Sequence, residues 1–411
     1  LIEPGQDRSR TVPEQRIVEM LTLLYWPFDI ESGTAEAAAR EALHSWLPMG
    51  LRFERAPDGG RLFDPVEASN FWQVCSAKGD NSFARRFTLA GRRLVSELAQ
   101  PGILGDPMKG ERKFVVDFKR TFNLRFVATG STLRLRAPLP LAGENLIDLK
   151  VEPYAETASE ARIKVSPGRI EARLTAAGEG EAILGARISF TCRVQEPKPG
   201  SVKIDCPDKA LYLSDREGLI VVSDRVRGLA KRLAGVNAPA IEVVRAFWNC
   251  IKSSFLNCYL HYDEIDLASP CDWILDAGRF DCQLGAIFLI ALCRARGLPA
   301  RLLGGFLLHR QMPTRHYWAE VWIDGQGWTP FDFMGLGARE EDGPDWRNYF
   351  FGRLEHRMTC ERFPREFTGS AGLPISPGWS LLQVPKAGGA ELVLLRPDGA
   401  PVYSDTIHVT G

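Results

Sequence analysis

A thiol, an imidazole and a carboxylate follow one another as Cys282, His316 and Asp332. Cys282 opens the apolar run Cys282-Gln-Leu-Gly-Ala-Ile-Phe-Leu-Ile-Ala-Leu-Cys-Arg-Ala-Arg-Gly297. His316 lies in Arg-His-Tyr-Trp-Ala-Glu-Val-Trp and Asp332 in Gly-Trp-Thr-Pro-Phe-Asp-Phe. Each residue type has a task in nucleophilic catalysis. A helix N-terminus carries roughly half a positive charge, which favours thiolate over thiol. An imidazole takes the thiol proton and later returns it to a leaving group. A carboxylate fixes the imidazole tautomer and stabilises its cation.

These residues need a helix and a sheet to hold them. The run from Cys282 is helical and stops at Gly297-Leu-Pro299, a C-terminal signal. Strand patterns follow at Ala300–Leu308, His316–Ile323 and Trp328–Phe333, after helical patterns at Ser223–Leu233 and Pro239–Phe255. In a strand, His316, Trp318, Glu320 and Trp322 share one face and Tyr317, Ala319, Val321 and Ile323 the other. One face can line a cleft while the other packs on the Cys282 helix. A hairpin through Asp324-Gly325 and Gly327 brings Asp332 beside His316. Helices first and strands after describe an α+β arrangement, the nucleophile helix lying on an antiparallel sheet.

At 411 residues the chain is too long for one average domain. Residues 1–110 read as mixed and mainly helical, with helices at Glu14–Trp26, Thr34–Trp46 and Ala90–Gln100 and a short hairpin around Asp58-Gly-Gly60. Residues 111–200 read as a β-sandwich: Phe114, Val116, Phe118, Phe122, Leu124 and Phe126 share one parity, with Arg120 interrupting, and five shorter strand-like runs follow. Residues 201–370 carry the candidate site. Residues 371–411 alternate Leu and Val around turns and read as a C-terminal β-hairpin extension.

Lysine plus arginine equals aspartate plus glutamate at 51 each, so no electrostatic case exists for nucleic acid or an anionic membrane as a partner. The basic stretch Arg225–Arg232 reads as a solvated helix face. Nine cysteines at irregular spacing, without a C-x-x-C, fit a reducing compartment and no zinc site or other cofactor. Cys250 and Cys258, read as one helix, and Cys293 are expected in the core. No apolar run reaches the roughly 20 residues of a membrane span. The start, Leu-Ile-Glu-Pro-Gly, has no basic region followed by an apolar core, so a cytoplasmic location is the expectation.

The stretch Cys282 … Arg294-Ala-Arg-Gly-Leu-Pro-Ala-Arg301 … Gly304-Gly305 … His316-Tyr-Trp-Ala-Glu-Val-Trp322 … Gly327-Trp-Thr-Pro-Phe-Asp332 resembles the transglutaminase-like superfamily over about residues 210–360. Tyr212-Leu213 and Tyr349-Phe-Phe-Gly352 resemble flanking elements of its bacterial members, and the β-rich block resembles the sandwich those members often carry. The resemblance implies a papain-like core with a Cys-His-Asp triad, assigning Cys282 as nucleophile, His316 as base and Asp332 as orienting carboxylate. Backbone N–H groups at the helix start are expected to form part of an oxyanion hole; Trp273 and Tyr262 are the candidates for a second donor. One departure stands out. Members commonly have Gly two residues before the cysteine, and this chain has Phe280, a ring that would narrow the cleft, join an acyl pocket or mark drift from activity.

The implied chemistry is acyl transfer through a thioester, with a peptide, amide or thioester as acyl donor and an amine or water as acceptor. Amide-bond formation is the leading expectation, with a carrier protein as a further partner. Proteolysis or amide hydrolysis by the same triad is the alternative, and a catalytically inactive scaffold the third reading. Trp318, Trp322 and Trp328 are expected to pack the sheet, Arg301 and Glu320 to form a structural ion pair, and His261, His309 and His356 to be structural or surface residues.

Overall fold

The computed structural model describes residues 11–25, 35–78, 111–143, 145–193, 205–308, 315–333, 350–354, 357–363, 382–386, 389–393 and 403–410. The expected helix Ala90–Gln100, and His309 and His356, lie outside these residues.

The N-terminal unit has a small sheet, β1 (Val12–Pro13), β2 (Glu54–Arg55) and β3 (Arg61–Phe63), and helices α1 (Glu14–Tyr25), α2 (Ala35–Trp46) and α3 (Pro65–Lys78). Ile17, Val18 and Leu21 of α1 meet Ala39, Ala42, Leu43 and Trp46 of α2 in a shared core. Helix α3 has no strong apolar period, but its start is well marked. Asp64 accepts from the Val66 N–H at 2.8 Å and Pro65 follows it, the N-cap and first-turn proline of a helix entry.

The sandwich is built from β4 (Glu111–Asn123), β5 (Thr132–Pro138), β6 (Leu146–Glu156), β7 (Arg162–Ser166), β8 (Arg169–Thr175) and β9 (Glu181–Arg193). It does not end there. Its sheets run β19-β18-β5-β8-β7 and β20-β4-β9-β6, where β18 (Leu382–Lys386), β19 (Gly389–Val393) and β20 (Tyr403–Thr410) come from the C-terminus. The segment read from sequence as a separate extension thus pairs with both sheets, β18 on β5 and β20 on β4. This pairing explains the interruption in β4. Phe114, Val116, Phe118 and Phe122 are buried, and so is Arg120 between them. Burying a charge is costly unless it is paired. Asp405 of β20 supplies the pair, 2.6 Å from Arg120 Nε and 2.8 Å from Nη2, and the Tyr403 ring lies 3.9 Å from the guanidinium.

The remaining unit opens with the hairpin β10 (Arg216–Glu217) and β11 (Ile220–Val221), then α4 (Asp224–Leu233) and α5 (Ala240–Ser254). Helix α5 ends at Ser254 because Phe255 turns extended, so Cys258 is not on that helix as Cys250 is. Cys258 is buried, and its N–H bonds the Phe280 carbonyl at 2.8 Å. A parallel two-residue pairing of β12 (Leu256–Asn257) with β13 (Arg279–Phe280) frames α6 (Pro270–Ala277). Next comes α7 (Cys282–Ala295), with every residue from Leu284 to Arg294 buried. A helix apolar on all sides must be wrapped on all sides. Helices α4, α5 and α6 and the sheet do this.

That sheet has the antiparallel order β16-β15-β14-β17, from β14 (Ala300–Leu307), β15 (Arg315–Ile323), β16 (Gly327–Phe331) and β17 (Arg357–Arg362). Tyr317, Ala319, Val321 and Ile323 join the core around α7, while Trp318 packs with Leu303, Phe350 and Leu354 in a separate cluster. At its other end the sheet is rooted in the sandwich. Phe306, Leu308, Met358 and Cys360 belong to the sandwich core, and Arg315 bonds Asp405 at 2.9 Å. No described helix is long and apolar enough to cross a membrane.

Candidate active site

Cys282 is the first residue of α7 and is half-buried. Asp281 caps the helix, its side chain accepting from the Leu284 N–H at 2.9 Å. The Asp281 carboxylate also takes the Gln283 N–H, which leaves the Cys282 N–H as the first-turn donor for a ligand. His316 stands near the start of β15, paired with Gly305 of β14. Its Nε2 lies 2.9 Å from both carboxylate oxygens of Asp332, which follows β16 and is almost fully buried. The imidazole also hydrogen-bonds the Cys282 side chain. With Nε2 engaged by Asp332, Nδ1 is the nitrogen left for the sulfur. Cys282, His316 and Asp332 thus form one connected line.

The electrostatics of that line favour a protonated imidazole. Burial opposes the charge on His316. The negative charges of Asp332 and Cys282, with hydrogen bonds to both, outweigh it and push the pKa up to about 10. At neutral pH His316 therefore carries a proton on both ring nitrogens. Linkage sets the consequence for stability. A histidine raised on folding stabilises fully below its ordinary pKa of about 6.5, and that contribution is lost as pH rises through about 10. Wild-type protein should lose melting temperature more steeply than His316→Gln between pH 7 and 10. Parallel melting curves across that window would show that His316 holds no such proton.

Three tyrosines lie near enough to Cys282 to feel its charge. Burial raises the Tyr259, Tyr262 and Tyr317 phenols, and the charge of Cys282 raises each further. Of the two oxyanion-hole candidates, the structure brings Tyr262 to the site. Its Oη lies 3.2 Å from Asp281 Oδ1 and 2.9 Å from Gln283 Oε1, the residues on either side of Cys282. A phenol has one proton to donate, so Tyr262 braces the nucleophile turn rather than offering a free donor. Trp273 sits on α6 with the Arg279 guanidinium 5.6 Å from its ring.

Phe280 does not enter the cleft. Its ring is fully buried, 5.5 Å from Phe333 in an edge contact, and lies against Gly285. The missing glycine before the cysteine is matched by a glycine one turn into the helix. Arg301 and Glu320 form the expected pair, buried, with Arg301 Nε 2.8 Å from Oε2. The Arg301 guanidinium also lies 3.8 Å from the Trp328 ring, and Trp322 meets Trp328 edge-to-face.

Two contacts were not read from the sequence. Arg357 of β17 bonds Asp332 Oδ2, an oxygen that His316 Nε2 also meets. The N-terminal unit grips the segment beside the nucleophile. Asn70 donates to the Tyr259 carbonyl at 3.0 Å and accepts from its N–H at 2.8 Å, and Asp64 lies 2.7 Å from His261 Nε2. For the second, the sequence carries no signal, since Asp64 and Asn70 are 197 and 189 residues from their partners. For Arg357 the sequence carries no local signal, because strand pairing across β14 places it.

Residues 227–333 match the family model of the transglutaminase-like superfamily, a span that includes Cys282, His316 and Asp332. Among solved structures, the chain is similar to a candidate cysteine protease from Cytophaga hutchinsonii, at 16% identity and a TM-score of 0.46, covering 74% of this chain and 90% of that one. It is also similar to the periplasmic domain of TgpA from Pseudomonas aeruginosa, at 18% identity and a TM-score of 0.30, covering 56% of this chain and 90% of that one. No curated protein matches the chain. The part of the chain that runs from α4 to Asp332, with α7 packed on the sheet, is thus similar to the transglutaminase-like superfamily.

Proposed function

We propose that the protein is a cysteine acyltransferase that forms amide bonds through a thioester at Cys282. The observation that carries this reading is the line from Cys282 through His316 to the buried Asp332. The Cys282 sulfur attacks the carbonyl of a peptide, amide or thioester donor. The oxyanion meets the N–H of Cys282 at the start of α7, and His316 gives its proton to the departing amine or thiol. An amine then attacks the thioester. His316, now neutral, takes the proton of the attacking amine, and Cys282 leaves as thiolate.

The choice of an amine over water draws support from the surroundings of the sulfur. Cys282 and Tyr262 pack against a core that includes the buried Tyr317, and a site that limits water favours the stronger nucleophile. The clasp of Asn70 on Tyr259 gives the N-terminal unit a position from which to present a donor, including one tethered to a carrier protein. The test is to load the enzyme with activated thioesters, locate the acyl group by mass spectrometry, and then offer amines in water. Acylation at Cys282 followed by transfer to amine is expected. Release only to water, whatever amine is supplied, would leave a hydrolase. No acylation, with Cys282 alkylated no faster than free cysteine, would remove the catalytic reading.

A further inference from the structure

We propose that Arg357 is a fourth, positioning member of the active site, holding Asp332 ionised and aimed so that His316 can both keep and release its proton. This rests on the reading of Cys282 as nucleophile. The side chains of Arg357 and Asp332 are both almost wholly buried and bonded through Arg357 Nη1 and Asp332 Oδ2. The guanidinium lies over two aromatic rings, Trp318 at 5.0 Å and Phe350 at 5.5 Å. His316 and Arg357 therefore meet the same carboxylate and share its Oδ2.

The backbone is shaped for this reach. Arg357 is on β17, and β14 lies between it and His316 on β15. The β14–β17 register slips between Gly304 and Gly305. A Cβ on Gly305 would stand 2.1 Å from the Met358 carbonyl oxygen. Only glycine lets the strand carrying Arg357 come this close.

Charge counting explains what the arginine does. In the state ready to attack, Cys282 and Asp332 are negative and His316 and Arg357 positive, so the buried site is neutral. Without Arg357 the same state carries one unbalanced negative charge. Asp332 would then either take up a proton or hold the imidazolium proton too firmly for transfer to a leaving group. The other titratable groups around Cys282 are Tyr259, Tyr262 and Tyr317, with Asp281 beside Tyr262 and with Glu361 and Arg315 beside Tyr317. A substitution at Arg357 leaves all of them in place.

The test is the pH dependence of Cys282 alkylation by iodoacetamide, read from the mass of the Cys282 peptide, together with the pH profile of kcat. Arg357→Gln should move both limbs upward by about one pH unit, since a positive charge has been removed. Arg357→Lys keeps the charge but not the fork. Its limbs should stay within about 0.3 unit of wild type while kcat falls about tenfold at unchanged KM. A folded Gln variant with unmoved limbs would reduce Arg357 to a packing residue. If the Gln variant does not fold, the Lys variant decides: limbs shifted by a full unit, or an unchanged kcat, would overturn the assignment. Wild-type Cys282 no more reactive than free cysteine at every pH would instead remove the nucleophile reading itself.

Discussion

Replacing Asp332 by asparagine should lower turnover about 10,000-fold, the scale seen when an orienting carboxylate is swapped for an amide. Two effects combine at this site. The first is tautomeric. Asp332 accepts from His316 Nε2. An asparagine that turns its amide N–H toward Nε2 makes the imidazole keep its proton on Nδ1, facing the sulfur. The base can then no longer take the thiol proton. The second effect is electrostatic. Asp332 gives His316 the strongest charge that raises it and a hydrogen bond, and both are lost. The shared proton leaves the imidazole, and with it the acid needed for the leaving group. The substitution also removes the carboxylate that meets the buried Arg357. Breaking a buried pair from one side costs about 3–5 kcal/mol, so the melting temperature should fall with activity. Single-turnover acylation at a temperature where the variant is folded separates the two. Acylation within tenfold of wild type would mean that Asp332 does not orient the base.

The sequence carried the parts of this site that depend on local period. A helix of apolar residues from Cys282 and a strand alternating from His316 are set by repeats of 3.6 and 2 residues, and both lie within a residue or two of their expected ends. The strand alternation also sorted the residues of β15 between the α7 core and the opposite face. Other features depend on residues far apart in the chain. Arg120 broke the parity of β4, a sign that a counter-charge was missing, but Asp405 is 285 residues away. Arg357 lacks even that sign, since β17 is not alternating and its partner strand was not identifiable. Phe280 shows a third limit. As a departure from a family pattern it suggested an altered cleft. Its burial is decided by Gly285, whose role cannot be seen until the loop folds back on the helix.

Gly285→Ala should destabilise the protein by about 1–3 kcal/mol, the cost of overpacking a filled core, and lower activity with it. The sign is opposite to the ordinary expectation. Within a helix, alanine is favoured over glycine by up to about 1 kcal/mol, and position 285 lies in the first turns of α7. The neighbours reverse that preference. A Cβ here would stand 2.5 Å from Phe280 Cδ2, 2.7 Å from Cε2 and 3.1 Å from Phe333 Cδ2. Both rings are buried and meet each other at 5.5 Å, and Phe333 stacks on Trp248 at 4.3 Å. Neither ring can swing aside into solvent, so the backbone must yield. Phe280 is two residues before Cys282, and its carbonyl bonds the Cys258 N–H. Phe333 directly follows Asp332, and its carbonyl accepts from Asn257. One methyl group therefore presses on the chain beside both the nucleophile and the carboxylate. The matching experiment is Phe280→Leu in the Gly285→Ala background, with thermal unfolding and acylation rate measured for each variant. The smaller side chain should recover part of both losses in the double variant while costing stability on its own. Additive losses would mean that position 285 is not filled by the Phe280 ring.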